Sequence, residues 1–233
     1  MGDVTEVDPT AVSTYRDPPG EAPWALPIVV RVEKGDEPTA IAVAEATATA
    51  VVRLLADDRS HDGEWSMPVR RWLDGRIRKV ARRARGVRWT SVEALPGVTV
   101  AHDGAQVRAL LPTATDAVPP EIAKLQVAGL ELPPGEPVPA RSGELSIALT
   151  PHVTMSPLKA AVQAAHAAQL AYSTMSDDEL SSWLAAGFNV RVCYPDAVMW
   201  SRLASSARVV VRDAGFTEIP PGTRTALALW DRG

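Results

Sequence analysis

The chain has 233 residues, 46% of them apolar, and a formal net charge of −4. That length suits one large domain or two of ordinary size, and the charge argues against an all-over basic nucleic-acid binder. A single cysteine, Cys193, excludes an internal disulfide and a cysteine-based metal cluster and fits a reducing compartment.

No stretch is long and apolar enough to span a membrane, and the N-terminus lacks a cationic start followed by an apolar core. The expectation is a soluble, cytoplasmic protein with no membrane partner. The Ala, Arg, Val and Pro bias points to a GC-rich bacterial genome.

Residues 1–23 are polar and carry Pro18, Pro19 and Gly20, which reads as a flexible leader. Residues 26–32 form a β-branched run and read as a buried strand. Pro38 opens an alanine-rich helix expected to reach Asp57. Residues 59–66 read as a loop, followed by a short helix holding Trp72. Strands are expected at 78–84, 98–101 and 107–111, with a helix at 90–95. Residues 113–142 are rich in Pro, Gly and Ala and read as a linker with one helical turn at 121–126.

The chain then starts again. Residues 145–149 read as a strand and 157–174 as a second alanine-rich helix opened by Pro157. A short helix at 177–185 contains Trp183. A strand at 190–194, a helix capped by Asp196, and strands at 208–212 and 225–229 complete the order.

The two halves share their order of elements and some landmarks. Trp72 and Trp183, Trp89 and Trp200, and Gly104 and Gly215 are each 111 residues apart. Pro38 and Pro157 are 119 apart, and the difference of eight is assigned to a longer loop near 59–66. A tandem duplication of one αβ unit follows. The expected fold is α/β, with two tandem copies of a small mixed four-stranded sheet domain and helices on both faces. The expected units are 24–112 and 143–233, joined by the 113–142 linker.

On the second alanine-rich helix, Lys159, Gln163 and His166 recur at i, i+4 and i+7 and share one face. Asp213 ends a strand in the same half, where side chains of α/β sheets emerge to form sites. Ala214, Gly215 and Thr217 follow, and Pro221-Gly222-Thr223 makes a tight turn.

These residues, in this order and spacing over about 144–230, resemble the type 2 peptidyl-tRNA hydrolases. That family combines a Gly-Lys-Gly-Lys loop, a helix with Ala-Gln and His-Ala, an Asp-Ala-Gly-Arg-Thr-Gln segment and a Pro-Gly-Thr/Ser turn. The resemblance implies a mixed four-stranded sheet with helices on both faces. It also implies cleavage of the ester joining a peptide to the 3′ ribose of tRNA, with no metal and no cofactor. The family's second loop lysine falls on Lys159, its glutamine on Gln163, its aspartate on Asp213 and its threonine on Thr217.

The residues suit that chemistry. Ester hydrolysis builds negative charge on the carbonyl oxygen, which a lysine cation stabilises. Asp213 can orient or deprotonate a water, with Thr217 holding it. Lys159, Asp213 and Thr217 are thus the catalytic candidates, and Gln163, His166 and Thr223 the substrate-binding ones. His166 has two readings, a general base or a structural hydrogen-bonder.

Three positions depart from the family pattern. Pro157 stands where the family has its first loop lysine, Phe216 at the arginine, and Glu218 at the glutamine. Two cationic positions near a phosphate-rich substrate are therefore lost, which weakens binding.

In the first unit, the 119 offset matches Lys159, Gln163 and His166 with Ala40, Ala44 and Thr47. The 111 offset matches Asp213 with His102 and Thr217 with Gln106. The first unit is expected to be a non-catalytic copy. The resemblance is to a family that usually works as a homodimer, which implies that this copy replaces the partner subunit in a pseudo-dimer within one chain.

Residues 70–88 of that unit hold nine of the chain's 24 basic residues and one acid, Asp74. A local positive patch still attracts phosphate on an acidic body, because the Debye length is only about 8 Å at physiological salt. Arg82, Arg83 and Arg85 are the candidates to grip tRNA, against a plain solvated face. A tRNA-binding or regulatory module of the same fold without turnover stands beside the hydrolase. So does an enzyme of this fold acting on another ester or amide.

Overall fold

A computed structural model describes residues 20–215 and 217–231. Residues 1–19 of the leader, and Phe216, lie outside the described residues.

The first half runs β1 (Trp24–Arg31), α1 (Ala40–Ala56), α2 (Asp58–His61), α3 (Ser66–Leu73), β2 (Arg78–Ala84), α4 (Val87–Glu93), β3 (Gly97–His102) and β4 (Ala105–Leu110). A two-residue strand β5 (Thr113–Ala114) and a helical turn α5 (Pro120–Ala123) follow. The second half runs β6 (Leu145–Leu149), α6 (Pro157–Thr174), α7 (Asp177–Ala185), β7 (Val190–Cys193), α8 (Ala197–Ser206), β8 (Val209–Arg212) and β9 (Arg224–Leu229).

The two sheets have the same topology. The first has strand order β2-β1-β4-β3, with β5 added beside β1, and the second has order β7-β6-β9-β8. In each, the first strand pairs parallel with the second and antiparallel with the last, and the last two form an antiparallel pair. Smaller features repeat as well. The Trp72 indole N–H donates to the Arg78 carbonyl and that of Trp183 to the Asn189 carbonyl, both pairs at the 111 spacing. Ile77 and Phe188, also 111 apart, both carry positive φ, at 45° and 56°. Two non-glycine residues in this sparsely occupied region at matched positions show that the two turns share a backbone conformation.

The alanine richness of both long helices has a packing cause. α1 and α6 lie against one another between the two sheets, and each is buried on nearly every side. A helix apolar all round belongs in such an interior, and small side chains let two helices and two sheets close on one another. A single apolar core therefore runs through both halves. On the outer faces, Trp89 of α4 and Trp200 of α8 each anchor a smaller cluster. Among the described residues no helix is long and apolar enough to cross a membrane.

The halves exchange contacts reciprocally: α1 reaches β7, and α6 reaches β2. Glu45 on α1, with a side chain only 3% exposed, accepts from the Val192 N–H at 2.9 Å and from His102 at 2.6 Å. The Arg191 guanidinium lies 3.7 Å away. Thr49 donates to the Phe188 carbonyl and Arg53 to the Gly187 carbonyl.

The caps correct the alignment of the helices. α1 begins at Ala40 and not Pro38, because the Thr39 hydroxyl accepts from the Ala42 N–H. The Ser156 hydroxyl does the same for Lys159. The caps are thus 117 residues apart, which matches Lys159, Gln163 and His166 with Ala42, Ala46 and Thr49. The three-residue polar face remains peculiar to α6. The extra eight residues divide accordingly, two before α1 and six between it and Trp72. Part of the expected 59–66 loop is helical, because Asp57 caps α2 through the Arg59 N–H.

The 113–142 segment docks along the first half. Ile122, Leu125 and Leu130 are buried, and the Pro133 and Pro134 carbonyls accept from the Ala40 and Ile41 N–H groups. The N-terminus of α1 is thereby covered, whereas that of α6 borders a pocket.

Candidate active site

The site forms where the α6 N-terminus meets the turn after β8. Ser156 caps the helix, and Pro157 occupies its first turn, where a missing N–H costs nothing. Lys159 and Gln163 then lie one turn apart on the same face and reach Asp213. Lys159 Nζ donates to Asp213 Oδ2 at 2.6 Å and lies 2.7 Å from Thr217 Oγ1. Gln163 Nε2 donates to the same carboxylate oxygen at 2.8 Å, and the Gly215 N–H donates to the other at 2.8 Å. Thr225 on β9 donates to Gln163 Oε1 at 2.5 Å, which fixes the amide with its NH2 towards Asp213.

The turn carrying Asp213 is tied at both ends. The Asp213 N–H donates to the Thr223 carbonyl, and the Gly222 N–H donates to the Asp213 carbonyl. Gly215 has φ 79°, and a Cβ there would lie 2.7 Å from the Pro221 ring, so only glycine fits. Glu218 accepts from the Ser156 N–H at 2.9 Å and from its hydroxyl at 2.6 Å. This acid at the family's glutamine position latches the turn to the α6 N-terminus, where negative charge is favoured.

Asp213 is buried and Lys159 mostly so, their side chains 7% and 12% exposed. An ammonium has three N–H donors. Two are directed at Asp213 and Thr217, and among the described residues one remains for a ligand. The pocket they line has a volume of about 270 Å³.

The opposite wall comes from the first half. Arg76, Arg78 and Lys79 line the same pocket, together with His166 and Arg212. Lys79 Nζ lies 3.1 Å from His166 Nδ1 and also donates to Gln169 Oε1. Burial holds the Lys79 pKa well below its ordinary value. Burial, followed by the neighbouring Lys79 and Lys159, holds the His166 pKa well below its own. Burial and the two lysines both disfavour a charged imidazole at His166.

The structure brings together five of the residues singled out in the sequence: Lys159, Gln163, His166, Asp213 and Thr217. Thr223 stands apart from that pocket lining. Its hydroxyl donates to the Pro220 carbonyl at 2.8 Å and holds the turn. Arg82, Arg83 and Arg85 also lie elsewhere. Arg82 donates to the Leu125 carbonyl and Arg83 to Gln126. Arg83 and Arg85 border a separate cleft of about 590 Å³ with Arg88, Lys34, Glu33 and Glu37. The basic residues of 70–88 are spread over α3, β2, α4 and the turns between them, and do not form one stripe. Cys193 sits on β7, its thiol pKa raised by burial.

Sequence reasoning counted Arg76, Arg78 and Lys79 only among the basic residues of 70–88 and did not assign them, or Thr225, to this site. Lys79 carried a faint signal as a cation alternating with Ala81 on the inner face of β2. Nothing in the sequence said which helix that face would meet.

Among the described residues, Glu45, His102 and Asp103 come close enough to hold a metal ion. Glu45 is already engaged by His102 and the Val192 N–H, with Arg191 beside it. Its hydrogen bond to Glu45 raises the His102 pKa, so the cluster serves as an ion pair at the junction of the halves.

Fold and pocket together define a mixed-sheet α/β domain with a lysine–carboxylate site at a strand end. Residues 145–230, the C-terminal part of the chain, match the model of the family described as peptidyl-tRNA hydrolase PTH2. A search of curated proteins finds no match.

Proposed function

We propose that the chain hydrolyses the ester between a peptide and the 3′ ribose of tRNA, releasing free tRNA. The observation that carries this reading is the buried Lys159–Asp213 pair with Gln163 and Thr217, set within the matched domain. The free Lys159 N–H is placed to receive the carbonyl oxygen as it gains negative charge. Asp213 takes a proton from water as the water oxygen adds to the carbonyl carbon. The tetrahedral species then collapses, the bond to the 3′ oxygen breaks, and that oxygen takes the proton. A 10⁶-fold acceleration requires about 8 kcal/mol from all terms together.

In this reading residues 24–112 are a non-catalytic copy, residues 113–142 a connecting segment and residues 143–233 the catalytic unit. The first unit stands in for the partner subunit of a dimer. The covered N-terminus of α1 and its lack of the Lys-Gln-His face support this. Lys159 supplies the electrophile, so hydrolysis should persist undiminished in excess EDTA. The cleft bordered by Arg83 and Arg85 is assigned to tRNA phosphates, with Arg82 outside its lining. Reversing all three to Glu should raise the apparent KM for peptidyl-tRNA.

A second reading, a tRNA-binding module without turnover, draws on the engagement of Asp213 by three donors. Purified protein incubated with an N-blocked aminoacyl-tRNA separates the two. Turnover lost in both Lys159→Ala and Asp213→Ala supports the hydrolase, whereas turnover that survives in both places the chemistry elsewhere.

A further inference from the structure

The wall of the pocket opposite Lys159 is built by the other half of the chain, and the repeat shows how unequal the two halves are there. In each half, the turn before the second strand lies over the long helix of the opposite half. Residues 76–79 lie over α6, and residues 187–190 lie over α1. At the 111 spacing, Arg76, Arg78 and Lys79 correspond to Gly187, Asn189 and Val190. The turn over the site-bearing helix is cationic. The turn over the covered helix is neutral, and its carbonyls are taken by Thr49 and Arg53.

Lys79 is buried, with an imidazole and an amide as hydrogen-bond partners and the Trp72 ring 5.0 Å away. A methionine would fill similar space without the desolvation cost of an amine. Packing alone therefore does not account for a lysine there. Arg76 is exposed at the pocket rim.

We infer that the site is composite. Lys79 is a positioning residue that donates to His166 Nδ1 and keeps the imidazole proton on Nε2, which faces the ligand as a donor. Arg76, with Arg78, forms the seat for a phosphate of the terminal nucleotide of an acylated RNA. These cations replace the charge missing at Pro157. The inference rests on the hydrolase reading for its substrate, though the phosphate seat is testable by binding alone.

The test compares N-acetyl-phenylalanyl-tRNA with N-acetyl-phenylalanyl-adenosine, which has the same ester and no phosphate. Arg76→Glu should raise KM for the tRNA substrate about tenfold and lower the slope of log affinity against log salt by about one. Its KM for the adenosine ester, which offers no phosphate to the seat, should change less than its KM for the tRNA. Arg202→Glu, a charge-matched change on α8, should alter neither. Lys79→Met should move the acid limb of the kcat/KM profile upward on both substrates, because His166 loses a neighbouring cation. An unchanged KM and salt slope in Arg76→Glu, or equal damage on both substrates, overturns the phosphate seat. An unmoved pH profile in Lys79→Met overturns the role given to Lys79. If the intact protein cleaves neither substrate, the hydrolase reading fails. The seat is then judged by filter binding of deacylated tRNA, where Arg76→Glu must bind more weakly than the parent or the inference falls.

Discussion

Replacing Lys159 with methionine separates what the lysine does for folding from what it does for chemistry. The side chain keeps its length and loses its charge. Asp213, 7% exposed, is left with Gln163 and the Gly215 N–H as donors. Removing one partner of a buried ion pair costs about 3–5 kcal/mol. The two surviving hydrogen bonds to the carboxylate place this case at the lower end, about 3 kcal/mol. For a chain of this size each kcal/mol moves Tm by about 2–4 °C, so a fall of about 6–12 °C is expected. Pairing the change with Asp213→Asn should cost less than the sum of the single changes by about 2 kcal/mol, because a double-mutant cycle isolates their coupling. Activity should behave differently. With the oxyanion donor gone, kcat should fall about 10²–10³-fold in Lys159→Met, and the double variant should recover none of it. The assays are urea unfolding followed by tryptophan fluorescence, and ester hydrolysis at a temperature where every variant is folded. Additive stabilities, or a Lys159→Met protein within tenfold of parental kcat, would refute the reasoning.

The remaining expectations probe the supports of the site. The His166 pKa is depressed in the folded state, so acid protonates the unfolded chain first. Stability is then present above the unfolded value of about 6.5 and is lost as pH falls towards the folded value. The urea midpoint should therefore drop between pH 7.5 and 5 more in the parent than in His166→Asn. Thr225→Val leaves Gln163 Oε1 buried without its donor. It should cost about 1–3 kcal/mol in urea unfolding and lower kcat roughly tenfold with KM little changed. Glu45→Ala removes the acceptor of the Val192 N–H between the halves and strands His102. A loss of about 3 kcal/mol is expected, read as a fall of about 6–12 °C in Tm.

Much of the architecture was legible because its signals are local. β-branched runs marked the strands, alanine runs marked the long helices, and the 111 spacing of Trp72 with Trp183 and Trp89 with Trp200 exposed the repeat. The Lys159, Gln163 and His166 face was readable for the same reason, since helical spacing alone places it. The link to Asp213 came from the family pattern and not from spacing. What escaped were consequences of packing between halves. Lys79 and Gln169 lie 90 residues apart, and no local pattern joins them. Alignment by Pro38 and Pro157 failed because capping is decided by hydroxyl geometry, which chose Thr39 and Ser156. Clustering in sequence also misled for the arginines of 70–88. Alternation along β2 sends Arg82 and Arg83 to opposite faces, and the turn before it sends Arg76 to the pocket.

The central claim is that the intact chain breaks the acyl–ribose ester at the Lys159–Asp213 pocket. Its most direct test is a single-turnover reaction with N-acetyl-phenylalanyl-tRNA in ¹⁸O-labelled water. The expected products are free tRNA without label and N-acetyl-phenylalanine with one ¹⁸O in its carboxylate, formed about 10²–10³-fold more slowly by Lys159→Met than by the parent. A stable complex in which the tRNA stays acylated would contradict the claim and leave a binding module in its place.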